Sequence, residues 1–448
     1  MTKKHNREIQ LSDHFDIKRM LRFTMPSIIM MIFTSIYGVV DGFFVSNFVG
    51  KTSFAAVNFI FPVIMLLGAL GFMFGTGGSA LVAMTLGTGN NEKANKLFSM
   101  TVYVSFAVGV ALAVISCIFM KPIAAFLGAE GRFLAESVLY GRIIICALPF
   151  FMLQFEFQSF FITAEKPKLG LYFTVASGVT NMILDALFMA IFRWGLVGAA
   201  LATAFSQIVG GLIPILYFAR KNSSLLHLTR FELDGRALLK TCTNGSSELM
   251  NNISMSLVSM LYNFQLMRYA GEDGIAAYGV LMYVNMIFLA VFIGYSVGIA
   301  PVVGYHFGAE NHDELHGLLK KSLLVIGISS VFMLILGEVL AYPLSYVFVS
   351  YDAGLMKITL TGFFIYSFSF LFSGIAIFSS SFFTALNDGL TSAIMAFLRT
   401  LVFQVAAVLI LPLFMKLNGI WTSIVIAEAA AAGIAFFFIG IKRKKYNY

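Results

Sequence analysis

Thr180 to Gln207 reads TNMILDALFMAIFRWGLVGAALATAFSQ, and an aspartate, Asp185, interrupts its otherwise apolar helical run. Asn181 and Asp185 stand four residues apart, so on a helix they lie one above the other on the same face. After a short Arg193-Trp194-Gly195 break, a second apolar run carries Thr203. Far upstream, Asp41 interrupts another apolar stretch, SIYGVVDGFFV at residues 35–45. A carboxylate at membrane depth is costly, so it faces a bundle interior or a water-filled cavity and marks function by default. The four residues are expected to converge on one site.

The composition says that these runs do cross a membrane. Of 448 residues, 59% are hydrophobic and only 12% charged, and the mean hydropathy is +0.87. Soluble proteins carry about 25% charged residues. With half of that, the chain cannot coat a water-facing surface, and it reads as a polytopic all-α membrane protein. Its first twenty residues are polar, so no cleavable signal peptide is expected ahead of the first apolar run. Cys117, Cys146 and Cys242 have spacings that suggest neither a disulfide nor zinc, and they read as packing residues.

Apolar runs of roughly 20 residues bounded by polar or Gly/Pro punctuation number twelve. They lie near 21–45, 54–84, 96–120, 137–161, 169–191, 196–219, 241–267, 275–303, 319–341, 356–384, 391–415 and 419–441. An even count puts both termini on one side. The N-terminus, the loops after even-numbered helices and the C-terminus together hold 21 of the 30 Lys and Arg residues. The positive-inside rule then makes that side cytoplasmic. The net charge of +8 is thus a topology signal, and no nucleic-acid partner is expected.

The longest cytoplasmic connection falls at the midpoint, which prompts a search for an internal repeat. A shift of 221 residues aligns the halves without a gap. Gly50 meets Gly271, Gly77 meets Gly298, Gly87 meets Gly308 and Asn90 meets Asn311. Pro122 falls on Pro343, Thr163-Ala164 on Thr384-Ala385 and Gly198 on Gly419. Units of six helices are parallel repeats related by an axis along the membrane normal, an arrangement that in secondary transporters encloses a central site. The expected division is an N-lobe at 1–219, a cytoplasmic loop at 220–240 and a C-lobe at 241–448. Adding 221 to Asp41, Asn181, Asp185 and Thr203 gives Tyr262, Val402, Ala406 and Ile424. The polar set therefore exists once, which favours function over a packing need of the six-helix unit. Two carboxylates, an amide oxygen and a hydroxyl suit a hard cation. Paired carboxylates in low dielectric cannot both stay ionised cheaply, so a proton can take the metal ion's place.

YGVVDGFFVSNFVG at 37–50, GTGGSALVAMTLGTGNNEKA at 75–94, NMILDALFM at 181–189 and GLVGAALATAFSQ at 195–207 resemble signatures of the bacterial multidrug and toxic compound extrusion (MATE) family. The resemblance covers nearly the whole chain. It implies export of cationic or amphipathic organic compounds by Na+ or H+ antiport across the bacterial inner membrane. It also implies an N-lobe ion site formed by Asp41, Asn181, Asp185 and Thr203. No cofactor is expected beyond the coupling ion, and a monomer is expected.

Some family members add a C-lobe acidic site with a Glu on helix seven and an Asp on helix ten. Glu248 fits the first position, but FFIYSFSFLFSGIAIFSSSFF at 363–383 contains no Asp. Glu248 then has a role with a cationic substrate, a pairing with Arg399, or a structural one. Gln154 and Gln158 share a face of helix four with Glu156 roughly opposite, and all three are cavity candidates if that helix lines the cavity. Arg399, Gln404 and Glu428 suggest an interhelical polar network. His306, His312 and His316 follow helix eight in a loop that reads as solvated and metal-free. Two alternatives stand beside the antiporter. A lipid-linked oligosaccharide flippase shares the architecture but would need several cationic cavity residues, where only Arg399 and Arg142 qualify. An integral-membrane enzyme lacks any HExxH, GxSxG or Walker A pattern.

Overall fold

The computed structural model describes residues 9–49 and 51–448, without the side chains of Val39, Ser46 and Lys51. Lys3, Lys4, Arg7 and Gly50, used in the charge and repeat arguments, lie outside the described residues. Every regular element among those described is helical. Helices α1 (Ile17–Phe48), α2 (Lys51–Gly87) and α3 (Asn91–Phe126) come first. Helix α4 is broken, with arms Gly131–Cys146 and Leu148–Thr163 meeting at 54°. Pro149 sits in the first turn of the second arm, where its missing N–H costs nothing. Helix α5 (Pro167–Asp185) continues into a π turn at Ala186–Ile191, and α6 is Gly195–Ala219.

The continuous run Gly235–Gly308 changes direction at Gly271 (φ 64°), which separates α7 (235–270) from α8 (272–308). Helix α9 is His312–Val349. Helix α10 joins Ala353–Tyr366 to Phe370–Ala385 through a 3-10 turn at Ser367–Ser369. Helix α11 starts as Gly389–Phe397 and passes a π turn at Leu398–Phe403. Lys416 (φ 51°) then turns the chain into α12 (417–446). Twelve helices result among the described residues, and they extend beyond the apolar runs at most ends. Helix α7 starts six residues earlier than its apolar run because Asp234 caps it, accepting from the backbone N–H groups of Arg236 and Ala237.

The repeat is visible in local geometry. Asn90 caps α3 by accepting from Lys93 N, and Asn311, one repeat on, caps α9 by accepting from Glu314 N. Gly89 (φ 80°) and Glu310 (φ 55°) make the same left-handed turn before those caps, and Gly195 and Lys416 (φ 55° and 51°) make the same turn before the last helix of each unit. The breaks of α4 at Ala147 and of α10 at Phe368 are also one repeat apart. Where the lobes meet, the two-fold relation becomes reciprocal. A Cβ on Gly87 would collide with the Tyr305 carbonyl, and one on Gly308 with the Met84 carbonyl. Only glycine permits this approach of α2 and α8.

The termini and the loops after even-numbered helices are linked on one face. Leu11 N donates to Glu165 in the α4–α5 loop, and Phe15 N to Glu314 at the start of α9. Lys240 Nζ donates to the Asn387 carbonyl in the α10–α11 loop, while Asn387 Nδ2 donates to the Ala80 carbonyl of α2. Tyr446 and Lys442 near the C-terminus donate to Asp388. Burial alone would raise the Asp388 carboxyl, but hydrogen bonds from Tyr446, Thr391 and Lys442 outweigh it and hold the carboxyl below its ordinary value. The α6–α7 connection is fastened along α3. Asn95 accepts from His227 N, Ser99 from Thr229 N, and the Tyr103 hydroxyl donates to the Thr229 carbonyl. Its Leu226 is fully buried.

Cys117 and Cys146 are free and pack α3 on the first, outer arm of α4 (Gly131–Cys146), with Sγ atoms 3.9 Å apart. One sequence expectation needs correction here. His306 is not in a solvated loop. It lies within the last turn of α8 and is only 3% exposed.

Candidate functional site

Helix α5 carries Thr174, Ser177, Asn181 and Asp185 at successive steps of three or four residues, so one polar stripe runs down a single face. All four are buried, Asp185 completely. The stripe faces α6, to which Ser177 Oγ is tied by donating to the Ser206 carbonyl at 2.7 Å. On its flank, Gly178 lies against the rings of Phe33 and Tyr37 of α1. That close approach brings α1 alongside, and Asp41 comes within interaction range of both Asp185 and Asn181. Thr203 of α6 joins through Tyr140 on the outer arm of α4, whose hydroxyl reaches it. Tyr37 and Tyr140 both lie within the electrostatic field of the two aspartates. The π turn of α5 begins at the residue after Asp185, and such turns recur at functional sites because the ladder is locally loosened.

Contact here does not amount to satisfied bonding. Asp41 Oδ1, both carboxylate oxygens of Asp185 and both amide atoms of Asn181 are buried with no well-formed hydrogen bond to protein. Buried polar atoms are nearly always paired, and two carboxylates in contact repel unless a positive charge separates them. Carboxylates, an amide oxygen and hydroxyls are donors for a hard cation or acceptors for a proton. Sequence reasoning named Asp41, Asn181, Asp185 and Thr203, and did not name Tyr37 or Tyr140. Tyr37 stands four residues before Asp41 and was legible as a same-face neighbour. Tyr140 is a feature of tertiary packing, and no sequence pattern announces it.

The cavity candidates divide. Gln154 packs on Gly210 of α6, and with Gln158 and Thr174 it lines a cavity of about 10 Å³ inside the N-lobe, between α4, α5 and α6. Glu156 is fully buried, with its Cα against Gly75 of α2 and its carboxyl toward Ser105 of α3. These three side chains on the inner arm of α4 (Leu148–Thr163) thus meet neighbours of their own lobe. Arg399 is also committed elsewhere. Its Nε donates to both Glu428 oxygens, at 3.2 and 2.9 Å, so the pairing with Glu248 gives way to an α11–α12 pair. Gln404 leaves that network and accepts from the Tyr262 hydroxyl of α7 at 3.0 Å. Glu248 alone stays near the lobe interface. Three residues before it, Gly245 lies against the Met73 backbone of α2.

Comparison with known proteins agrees with this geometry. The MatE family model matches residues 26–187 and 249–410, once in each lobe. The multidrug export protein MepA of Staphylococcus haemolyticus is 27% identical over 431 residues, covering 94% of this chain and 93% of that protein. MepA of Staphylococcus aureus strain MRSA252 is 26% identical, covering 96% and 94%. An outward-facing multidrug resistance MATE family transporter of the MOP superfamily shares the fold with a TM-score of 0.92 at 23% identity, over 99% of both chains. Two six-helix lobes, two family matches and near full-length similarity place the chain among transporters and not enzymes, and it belongs to the MATE family.

Proposed function

We propose that the chain is a secondary antiporter that exports amphipathic or cationic organic compounds in exchange for Na+ or H+. The observation that carries this is the Asp41–Asn181–Asp185 cluster, whose buried oxygens lack protein partners. In this reading Thr203 completes the donor set, and Tyr37 and Tyr140 lie within the field of the two aspartates. Ion or proton occupancy favours one arrangement of the lobes and substrate the other, so the two ligands compete through a shared equilibrium. The basic residues gathered on the face of the termini support a cytoplasmic location for that face, in the bacterial inner membrane. Lobe contacts on the same face support a form that is shut toward the cytoplasm. Pairing of Arg399 with Glu428 removes a cation that a lipid-pyrophosphate flippase would need.

Energised inverted vesicles loaded with ethidium test the reading, with wild type beside Asp185→Asn. Dye movement triggered by a Na+ pulse in wild type alone supports a sodium site, and movement triggered only by acid supports a proton site. Movement indifferent to both pulses and to the substitution overturns the coupling role.

A further inference from the structure

Residues 9–16 precede α1 and run across the joint between lobes. Leu11 and Phe15 are both fully buried, which is unusual for a segment so near a chain end. On the N-lobe side, Leu11 N donates to Glu165 Oε1 at 2.6 Å. On the C-lobe side, Glu314 at the start of α9 receives two groups of the segment. His14 Nδ1 lies 2.6 Å from its Oε2, and Phe15 N donates to its Oε1 at 2.8 Å. Lys321, two turns further along α9, donates from Nζ to the Phe15 carbonyl at 2.5 Å. The Phe15 ring sits edge-on between Phe23 of α1 and His306 of α8, with centroids 5.7 and 6.5 Å away. His306 in turn lies beside the backbone of Leu11 and Asp13.

We propose that this segment is a clasp that holds the lobes together on the face of the termini and must release before the lobes part there. The segment is continuous with α1 and moves with the N-lobe, whereas Glu314, Lys321 and His306 belong to the C-lobe. The three polar contacts to α9 therefore cross the moving boundary. Two of them, Phe15 N to Glu314 and Lys321 to the Phe15 carbonyl, join a charged side chain to buried backbone, where such bonds are strongest, whereas the His14 side chain of the third is 73% exposed. The clasp adds a conformational bias that neither the ion site nor the substrate site contains. It rests on the rocking-lobe reading for its purpose, and its test does not depend on transport.

Cys242 supplies the reporter. It is half-buried on α7, next to Thr241, whose carbonyl packs on Gly77 of α2 in the lobe joint. With Cys117→Ser and Cys146→Ser it becomes the sole thiol of the full chain, and its alkylation rate by N-ethylmaleimide reads opening of the joint. Glu314→Ala removes the acceptor of two bonds and is expected to speed alkylation roughly tenfold. Lys321→Met and Leu11→Ser should each speed it by a smaller factor. Leu11→Ser leaves α8 and α9 intact, so it guards against a folding defect in the Glu314 variant. Glu136→Ala, on the opposite face, should leave the rate unchanged. Wild-type rates in all three clasp variants, or equal acceleration by Glu136→Ala, overturn the proposal. Faster alkylation with unchanged ethidium export would support the clasp while counting against the rocking-lobe reading.

Discussion

The two lobes share one scaffold and use it differently. At the position of Asp41 the C-lobe has Tyr262, and its hydroxyl donates to Gln404. Gln265, one turn on, donates to the Val408 carbonyl at 3.0 Å. Arg399 and Glu428 of the C-lobe are matched against each other at 2.9 Å. In the N-lobe the corresponding interior holds two carboxylates with buried, unpartnered oxygens. Here the C-lobe pairs these two charges internally, whereas the two N-lobe carboxylates have no protein cation among the described residues to pair with and suit an external positive charge. What the repeat transmits is caps, turns and helix breaks, and what it does not transmit is the site.

The sharpest way to break this contrast is to neutralise each lobe in turn. Asp185→Asn or Asp41→Asn should abolish ion-coupled export while leaving expression intact, measured as ethidium efflux beside membrane protein yield. Full export by either variant would sink the N-lobe mechanism. The C-lobe pair should respond as a structural unit. Arg399→Ala alone strands Glu428 and should cost about 3–5 kcal/mol of stability, whereas Arg399→Met with Glu428→Met together should be close to neutral. Thermal unfolding in detergent distinguishes the two, and a double variant as unstable as the single one would contradict the pairing. Tyr140→Phe should have a milder effect, weakening ion affinity severalfold by loosening Thr203 while leaving the lobe folded. A change in stability without a change in ion dependence would make Tyr140 a packing residue only.

The smallest effect concerns the docked C-terminus. The Asp388 carboxyl is held below its ordinary value by Tyr446, Thr391 and Lys442. A depressed carboxyl contributes stability above its unfolded pKa and loses that contribution as pH falls through the lowered folded value. Proteolysis of the tail should therefore accelerate only below about pH 4, and Asp388→Asn should remove that dependence.

Much of this was legible because membrane helices announce themselves. Apolar runs gave the helix count, and Gly, Pro and Asn in register gave the repeat. Asp41 and Asp185 stood out because a carboxylate is so costly at depth. Other features depend on which way a helix turns after it breaks. Gln154, Glu156 and Gln158 read as cavity candidates, but packing turns their side chains toward α2, α3, α5 and α6 of their own lobe. Arg399 had two acidic candidates in sequence, and only packing chose Glu428. His306 looked solvated because a buried N-terminal segment has no periodic signature.

The connection between α6 and α7 has a mechanical consequence. Since Asn95, Ser99 and Tyr103 bind it along α3, the chain between the lobes is not a slack tether. Its length is committed to one rigid body as far as the Asp234 cap, whose N–H meets Met100 Sδ of α3 at 3.3 Å. A nick in its first residues, near Asn222, would leave two chains that still meet as one transporter, with the loop riding on its original lobe.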